Sequence, residues 1–163
     1  MRGPEGFDID ASVALVRDAL FQPVAGPALP DHVVPGDRVV IAQAGHLPGG
    51  QLLSDAIYLA ILESLQAGGV SPEDIQLVIA PPNIQSDDPS HTVGSAVAPN
   101  QPFPVTTFDP LNDSETAYLL ADESGEPLHL ARSLVDADVV LAVGNFGYDA
   151  SLSGRSPEGE LWP

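Results

Sequence analysis

A strand, helix, strand pattern in the first half of the chain constrains the fold more than any other feature. Residues 38–42 form a short run rich in β-branched side chains, which is typical of a strand buried in a parallel sheet. Leucine and isoleucine then recur every fourth residue from Leu53 to Leu65, which predicts a helix with a wide apolar face. Residues 75–80 are a second apolar run, and crossovers of this kind are right-handed and join parallel strands. The pattern predicts an α/β fold with a mainly parallel sheet flanked by helices, Rossmann-like in character.

Weaker patterns predict the remaining elements. Asp10 is expected to cap a first helix, which the proline-rich run at 23–35 must end. Further along the chain we expect a third strand at 104–108, a small hairpin formed by 118–120 and 127–130, a short helix at 131–135 and a final buried strand at 138–143. One domain over 1–163 is expected, with irregular structure at 1–9 and about 150–163.

The charge of the chain excludes several partners. Twenty-three acidic residues face five basic ones, all of them arginine, and the net charge is −18. Such a field repels nucleic acid and anionic membrane surfaces, so we expect neither as a partner. The sequence shows no signal peptide and no apolar run long enough to span a membrane, which makes a cytoplasmic location the expectation. There is no cysteine, and therefore no thiolate chemistry. The lysine-free, acidic composition is typical of a high-salt cytoplasm, although a GC-rich genome would also favour arginine.

Three segments, in this order and spacing, carry a family resemblance: Pro-Gly-Asp-Arg-Val-Val-Ile at 35–41, Leu-Gln-Ala-Gly-Gly-Val-Ser-Pro-Glu-Asp-Ile at 65–75, and the stretch from Pro127 to Asn145. Together they resemble the N-terminal domain of the nickel-pincer-dependent lactate racemases. The resemblance implies an isomerase that racemises a 2-hydroxy acid. It also implies a nickel-pincer nucleotide tethered to a lysine, a guanidinium that holds the substrate carboxylate, and two histidines that act as general acid and base.

The sequence departs from the family at the two loops that follow the first two strands. The first loop of the family carries an Asp and a Thr-Arg-Pro sequence, whereas here Pro48 matches and either Leu47 or His46 stands at the arginine position. The second loop of the family reads Gly-Thr-His-Arg-Pro, whereas residues 81–85 read Pro-Pro-Asn-Ile-Gln and the nearby imidazole is that of His91. The resemblance therefore implies a substrate site without its usual arginine clamp.

The last family motif is also altered. After Gly144 the family carries its second catalytic histidine and then the tethering lysine, whereas here Tyr148 or Asp149 stands near the histidine position and Arg155 or Ser156 near the lysine. No lysine exists anywhere in the chain. The resemblance thus implies a nickel-pincer nucleotide, but the sequence offers no attachment for it, and we expect no metal ligands.

Candidate site residues follow from the loops at 43–50, 81–92 and 145–155. His91 and Asp149 are the candidate catalytic residues, and His46, Asn83 and Arg155 are the candidate substrate-binding residues. Each has a plainer interpretation as a solvated loop residue in an acidic chain. His32 and His129 are expected to be structural.

Two functions remain open. The first is a lactate-racemase-like domain that binds a small hydroxy acid and either lacks activity alone or forms half of a split enzyme, with a partner chain that supplies a C-terminal domain. The alternative is a non-catalytic acidic module that binds a small molecule or another protein on the same scaffold.

Overall fold

A computed structural model describes residues 9–43, 50–80 and 103–144. The helices are α1 (Ile9–Phe21), α2 (Gly50–Ala67) and the short α3 (Arg132–Val135). The strands are β1 (Val39–Gln43), β2 (Ile75–Ile79), β3 (Val105–Thr107), β4 (Thr116–Ala121), β5 (Pro127–Ala131) and β6 (Val139–Val143). In the described part of the chain no helix is long and apolar enough to cross a membrane.

Four of the strands form one parallel sheet in the order β3-β2-β1-β6. Val39 of the central strand β1 lies opposite Ile75 on one side and Val139 on the other. The observed architecture confirms the predicted α/β fold with a parallel sheet flanked by helices and a small hairpin. The predictions of 1–9 and about 150–163 as irregular stay predictions, because 1–8 and 145–163 lie outside the described residues and α1 begins at Ile9.

The main core lies between α2 and one face of the sheet. Ile61 and Leu65 of α2 belong to the same buried cluster as Ile41 and Leu77 of the two central strands. Ile41 and Leu65 are fully buried, as the four-residue repeat of α2 requires when that helix lies along a sheet. Burial of this apolar stripe, rather than helix propensity, holds the crossover in place.

The strand β6 differs from its prediction. Its sequence is apolar throughout, which indicated a strand buried on both faces, but its residues alternate between half-buried and exposed, and Val140 is 44% exposed. Its neighbour β1 is buried on both faces. The prediction was wrong for one face because β6 ends the strand order of the described sheet, and an apolar run does not reveal whether a strand is central or terminal.

Helix α1 packs beside α2 and is connected to β1 through the proline-rich segment. Arg17 donates two hydrogen bonds to the Glu63 carboxylate, at 2.9 and 2.8 Å, and so links the exposed faces of the two helices. With Asp10 as the cap, the helix was expected to begin at Ala11; it begins two residues earlier, at Ile9, so Asp10 lies in its first turn rather than before it. There its charge favours the helix through the macrodipole.

The hairpin β4–β5 stands apart as a two-stranded antiparallel sheet. Its turn closes where the backbone N–H of Asp122 donates to the Glu126 carbonyl at 2.9 Å, with Gly125 at φ 87°. The Asp122 carboxylate accepts hydrogen bonds from Ser124 and from the Glu126 N–H. The Asp122 side chain thus stabilises the turn between the two strands of the predicted hairpin.

Candidate functional site

The carboxyl ends of the four parallel strands meet at one edge of the sheet. The strands end at Gln43, Ile79, Thr107 and Val143. The strand ends are held together by hydrogen bonds: the Ala80 N–H donates to the Gln43 carbonyl at 2.8 Å, and the Phe108 N–H donates to the Ile79 carbonyl at 3.0 Å. In open α/β sheets, ligands bind outside this edge.

The strand order gives this edge a topological switch point. The strands β2 and β3, which follow β1 and α2 along the chain, lie on one side of β1 in the sheet. The strand β6 lies on the other side of β1. The connections that leave β1 and β6 therefore start at a topological switch point, which is where ligands bind in this class of fold. Gln43 and Val143 are register partners there, so the site is defined by the ends of β1 and β6.

Gln43 was not singled out by the sequence analysis. It is the polar residue that ends the apolar run of β1, and its side chain is half-buried at the switch point. A polar residue at the end of a buried parallel strand was the signal available in the sequence. Its amide offers both a donor and an acceptor to a small polar ligand.

The five candidate residues lie outside the described residues. His46 follows the end of β1 by three positions in the sequence, Asn83 and His91 follow β2, and Asp149 and Arg155 follow β6. The structure thus brings together the strand ends from which these three connections start. The roles of His46, Asn83, His91, Asp149 and Arg155 stay predictions.

The described histidines lie away from this edge. His129 belongs to the separate hairpin, where its ring packs edge-on against Tyr118 with centroids 6.0 Å apart. His32 ends a short 3-10 turn formed by Leu29–His32 and is exposed. The structural roles of His32 and His129 stay predictions.

The described arginines are engaged in contacts within the fold. Arg17 is paired with Glu63, and Arg38 with Asp138. Arg132 donates to the Thr116 carbonyl at 2.7 Å and to the Ser114 carbonyl at 3.2 Å, which ties the start of α3 to the hairpin. Outside the described residues, Arg155 is the candidate guanidinium that follows β6.

The sequence does not fit a metal cofactor that is tethered to a lysine. Among the residues that the structure describes, no group of three histidine or carboxylate side chains is arranged to hold a metal ion. The sequence also has no lysine, so no side-chain amine exists for a covalent attachment. The donor set disagrees with the nickel-pincer nucleotide that the resemblance implies.

Comparison with known proteins agrees with the fold. Residues 7–154 match the family model of the lactate racemase N-terminal domain. The lactate racemase apoprotein from Thermoanaerobacterium thermosaccharolyticum is similar in structure, with a TM-score of 0.54 and 18% sequence identity over 78% of this chain. The match covers 30% of that racemase, so the chain spans less than a third of its length. A search of curated proteins found no match.

Proposed function

Because the chain belongs to the family of lactate racemase N-terminal domains, we propose that it is the substrate-binding part of a split 2-hydroxy-acid racemase. In this proposal 1–163 is one domain that acts in the cytoplasm, inactive alone, and a partner polypeptide supplies the rest of the active site. Nucleic acid and membranes are not among its proposed partners, because its net charge of −18 repels both.

The observation that supports the proposal most strongly is the switch point between β1 and β6. All three loops that carry candidate residues leave the carboxyl edge of the sheet, and two of them start on adjacent strands at Gln43 and Val143. A small hydroxy acid carries one carboxylate and one hydroxyl group. A ligand of this kind needs one cation and a few neutral donors, which the loop residues and Gln43 together offer.

Each candidate residue has a role that suits its chemistry. Arg155 binds the carboxylate through its planar fork of N–H donors. His46 and Asn83 hydrogen-bond the hydroxyl group, and His91 and Asp149 exchange its proton when the partner completes the site. We derive no step through the nickel-pincer nucleotide, because the chain offers no lysine to hold it.

A specific observation favours the alternative of a non-catalytic module. Both strong electrostatic groups of the family are absent at their expected positions, since Leu47 or His46 replaces the arginine and no lysine exists. A domain that only binds a ligand needs neither an acid-base pair nor a cofactor. In this alternative the ligand binds at the same edge of the sheet, but the protein catalyses no reaction.

The experiment combines binding and turnover. Purified chain is titrated with D-lactate, L-lactate and propionate, the last as a control that lacks the hydroxyl group, and racemisation is measured with and without the polypeptide encoded beside it. Binding of lactate in preference to propionate, with turnover only in the mixture, supports the split enzyme. Binding with no turnover in the mixture supports the module, and no discrimination between lactate and propionate contradicts both.

A further inference from the structure

The hairpin carries a continuous apolar face that a β-bulge creates. Ala117 lies opposite Leu130, and Leu120 lies opposite Leu128, while the extra residue Leu119 lies between the two pairs. In a regular strand, residues three apart point to opposite faces. The bulge restores Leu120 to the face of Ala117, so these four paired residues form one surface, which we call the hairpin face.

The exposure of the hairpin face increases from Leu130 to Leu120. Leu130 is buried at 7% exposure, Leu128 is half-buried, and Leu120 is 45% exposed. The bulged residue Leu119 is 44% exposed, whereas Tyr118 pairs with His129 on the opposite face of the hairpin. A two-stranded ribbon is marginally stable alone, and contiguous exposed apolar residues on a small domain mark an interaction surface.

The border of this face is mainly acidic, although Arg132 lies at the base of the hairpin, where it donates to the Thr116 carbonyl. No lysine or arginine occurs in the sequence between Arg38 and Arg132. The acidic residues in and just before the hairpin are Asp109, Asp113, Glu115, Asp122, Glu123 and Glu126. Hydrogen bonds from the Ser124 side chain and the Glu126 backbone keep the pKa of Asp122 below its ordinary value.

This charge distribution selects among possible occupants. A second copy would bring two chains of charge −18 together with their acidic borders facing each other, which costs free energy. Anionic lipid headgroups are repelled for the same reason. A polypeptide with an apolar centre and a lysine or arginine border is complementary in both respects.

We propose that the hairpin face is a docking surface for a polypeptide whose apolar contact area is bordered by basic side chains. The chain spans 30% of the length of the similar lactate racemase, so a polypeptide that supplies the remainder is a fitting occupant. That identification of the partner rests on the proposed function. The docking surface itself rests on the bulge, the exposure and the charge.

The test uses two synthetic peptides, one of alternating leucine and lysine and one of alternating leucine and glutamate. We expect the chain to bind the lysine peptide and not the glutamate peptide. Leu120→Asp should weaken lysine-peptide binding about tenfold or more, because it places a charge on the apolar contact. The matched variant Leu15→Asp adds the same charge on the exposed surface of α1, where Leu15 is 70% exposed, and should change the affinity less than about twofold.

Three results would overturn the proposal. Equal lysine-peptide binding by Leu120→Asp and the original chain would show that attraction is only electrostatic. Equal losses in the Leu120→Asp and Leu15→Asp variants would mean that the hairpin face is not the contact. Binding to phosphatidylcholine vesicles that Leu120→Asp abolishes would assign the surface to lipid.

If circular dichroism shows that Leu120→Asp is unfolded, Leu120→Ser serves as a second variant. The serine variant should also weaken lysine-peptide binding. Lactate binding is measured on the same samples. If the original chain binds lactate but not the lysine peptide, the docking surface alone is contradicted, and if it binds the lysine peptide but not lactate, the proposed function alone is contradicted.

Discussion

Asp138 accepts two hydrogen bonds from Arg38, one from the backbone N–H at 2.9 Å and one from the guanidinium Nε at 3.2 Å. The two residues precede β6 and β1, and the backbone N–H of Asp138 in turn donates to the Arg38 carbonyl at 2.9 Å. One carboxylate therefore fixes the register of two parallel strands that are about a hundred residues apart in the sequence.

Asp138→Ala should lower the melting temperature near neutral pH, because it removes both hydrogen bonds. The backbone N–H of Arg38, followed by its side chain, lowers the pKa of Asp138 below the ordinary value of 3.8. A lowered pKa in the folded state stabilises the protein at pH values above the ordinary pKa, and this contribution is lost as the pH falls through the lowered value. The difference between the two proteins should thus be constant from about pH 7 to pH 5 and shrink below about pH 4.

Melting curves across this pH range, with Asp136→Ala as the neighbouring control, check the prediction. Asp136 is the exposed residue that caps the end of the short helix α3. A difference that persists unchanged at pH values well below the ordinary pKa would contradict the assigned cause.

Tyr58→Phe should leave stability unchanged or increase it. The ring of Tyr58 is buried against Phe103 with centroids 6.3 Å apart, and its hydroxyl has no hydrogen-bond partner among the residues that the structure describes. Burial, with a smaller contribution from Asp55, raises the pKa of this hydroxyl. Removal of a buried hydroxyl without a partner relieves a desolvation cost of about 1–3 kcal/mol, so the free energy of unfolding should rise by up to about that amount.

Urea denaturation measures this change, and Tyr118→Phe is the matched control because Tyr118 is 62% exposed. A loss of stability in Tyr58→Phe that Tyr118→Phe does not share would mean that the hydroxyl does find a partner, and it would contradict the prediction.

Gly68→Ala should destabilise the junction between α2 and the proline-rich segment. A Cβ atom at this position would collide with the Val33 side chain and lie 2.7 Å from the Pro30 carbonyl oxygen. Overpacking of this kind costs about 1–3 kcal/mol, which urea denaturation would detect. Because part of the collision is with Val33, the double variant Gly68→Ala, Val33→Ala should be less destabilised than the sum of its single variants. Additive losses would contradict the assigned contact.

The sequence was sufficient to predict the elements whose physical cause is local. The repeat from Leu53 to Leu65 and the apolar runs on each side of it predicted α2, β1 and β2. The pairing of the strands was harder to predict, because an apolar run such as that of β6 has the same sequence pattern at the centre and at the end of a sheet. The position of β6 depends instead on the contact between Arg38 and Asp138, two residues that no local pattern relates.

The candidate site was also predictable only in part. Parallel strands place their carboxyl ends at one edge, so the crossover alone predicted where loop residues such as His46 would start. The strand order located the switch point at Gln43 and Val143, and no periodicity in the sequence indicated it. Side-chain positions in the loops depend on tertiary contacts of each loop, which neither composition nor spacing specifies.

Arg155→Gln should weaken lactate binding more than the substitution of any arginine of the described fold. The guanidinium groups of Arg17, Arg38 and Arg132 are occupied by Glu63, by Asp138 and by backbone carbonyls. A charge-assisted contact to a carboxylate contributes about 1.5–3 kcal/mol, so loss of Arg155 should weaken binding roughly ten- to hundredfold. Arg17→Gln is the matched control, because it removes the same charge from a pair between two helices and should change binding less than about twofold. Titration calorimetry with both lactate enantiomers measures the difference, and equal losses in the two variants would mean that Arg155 acts only through net charge and not as the substrate's partner.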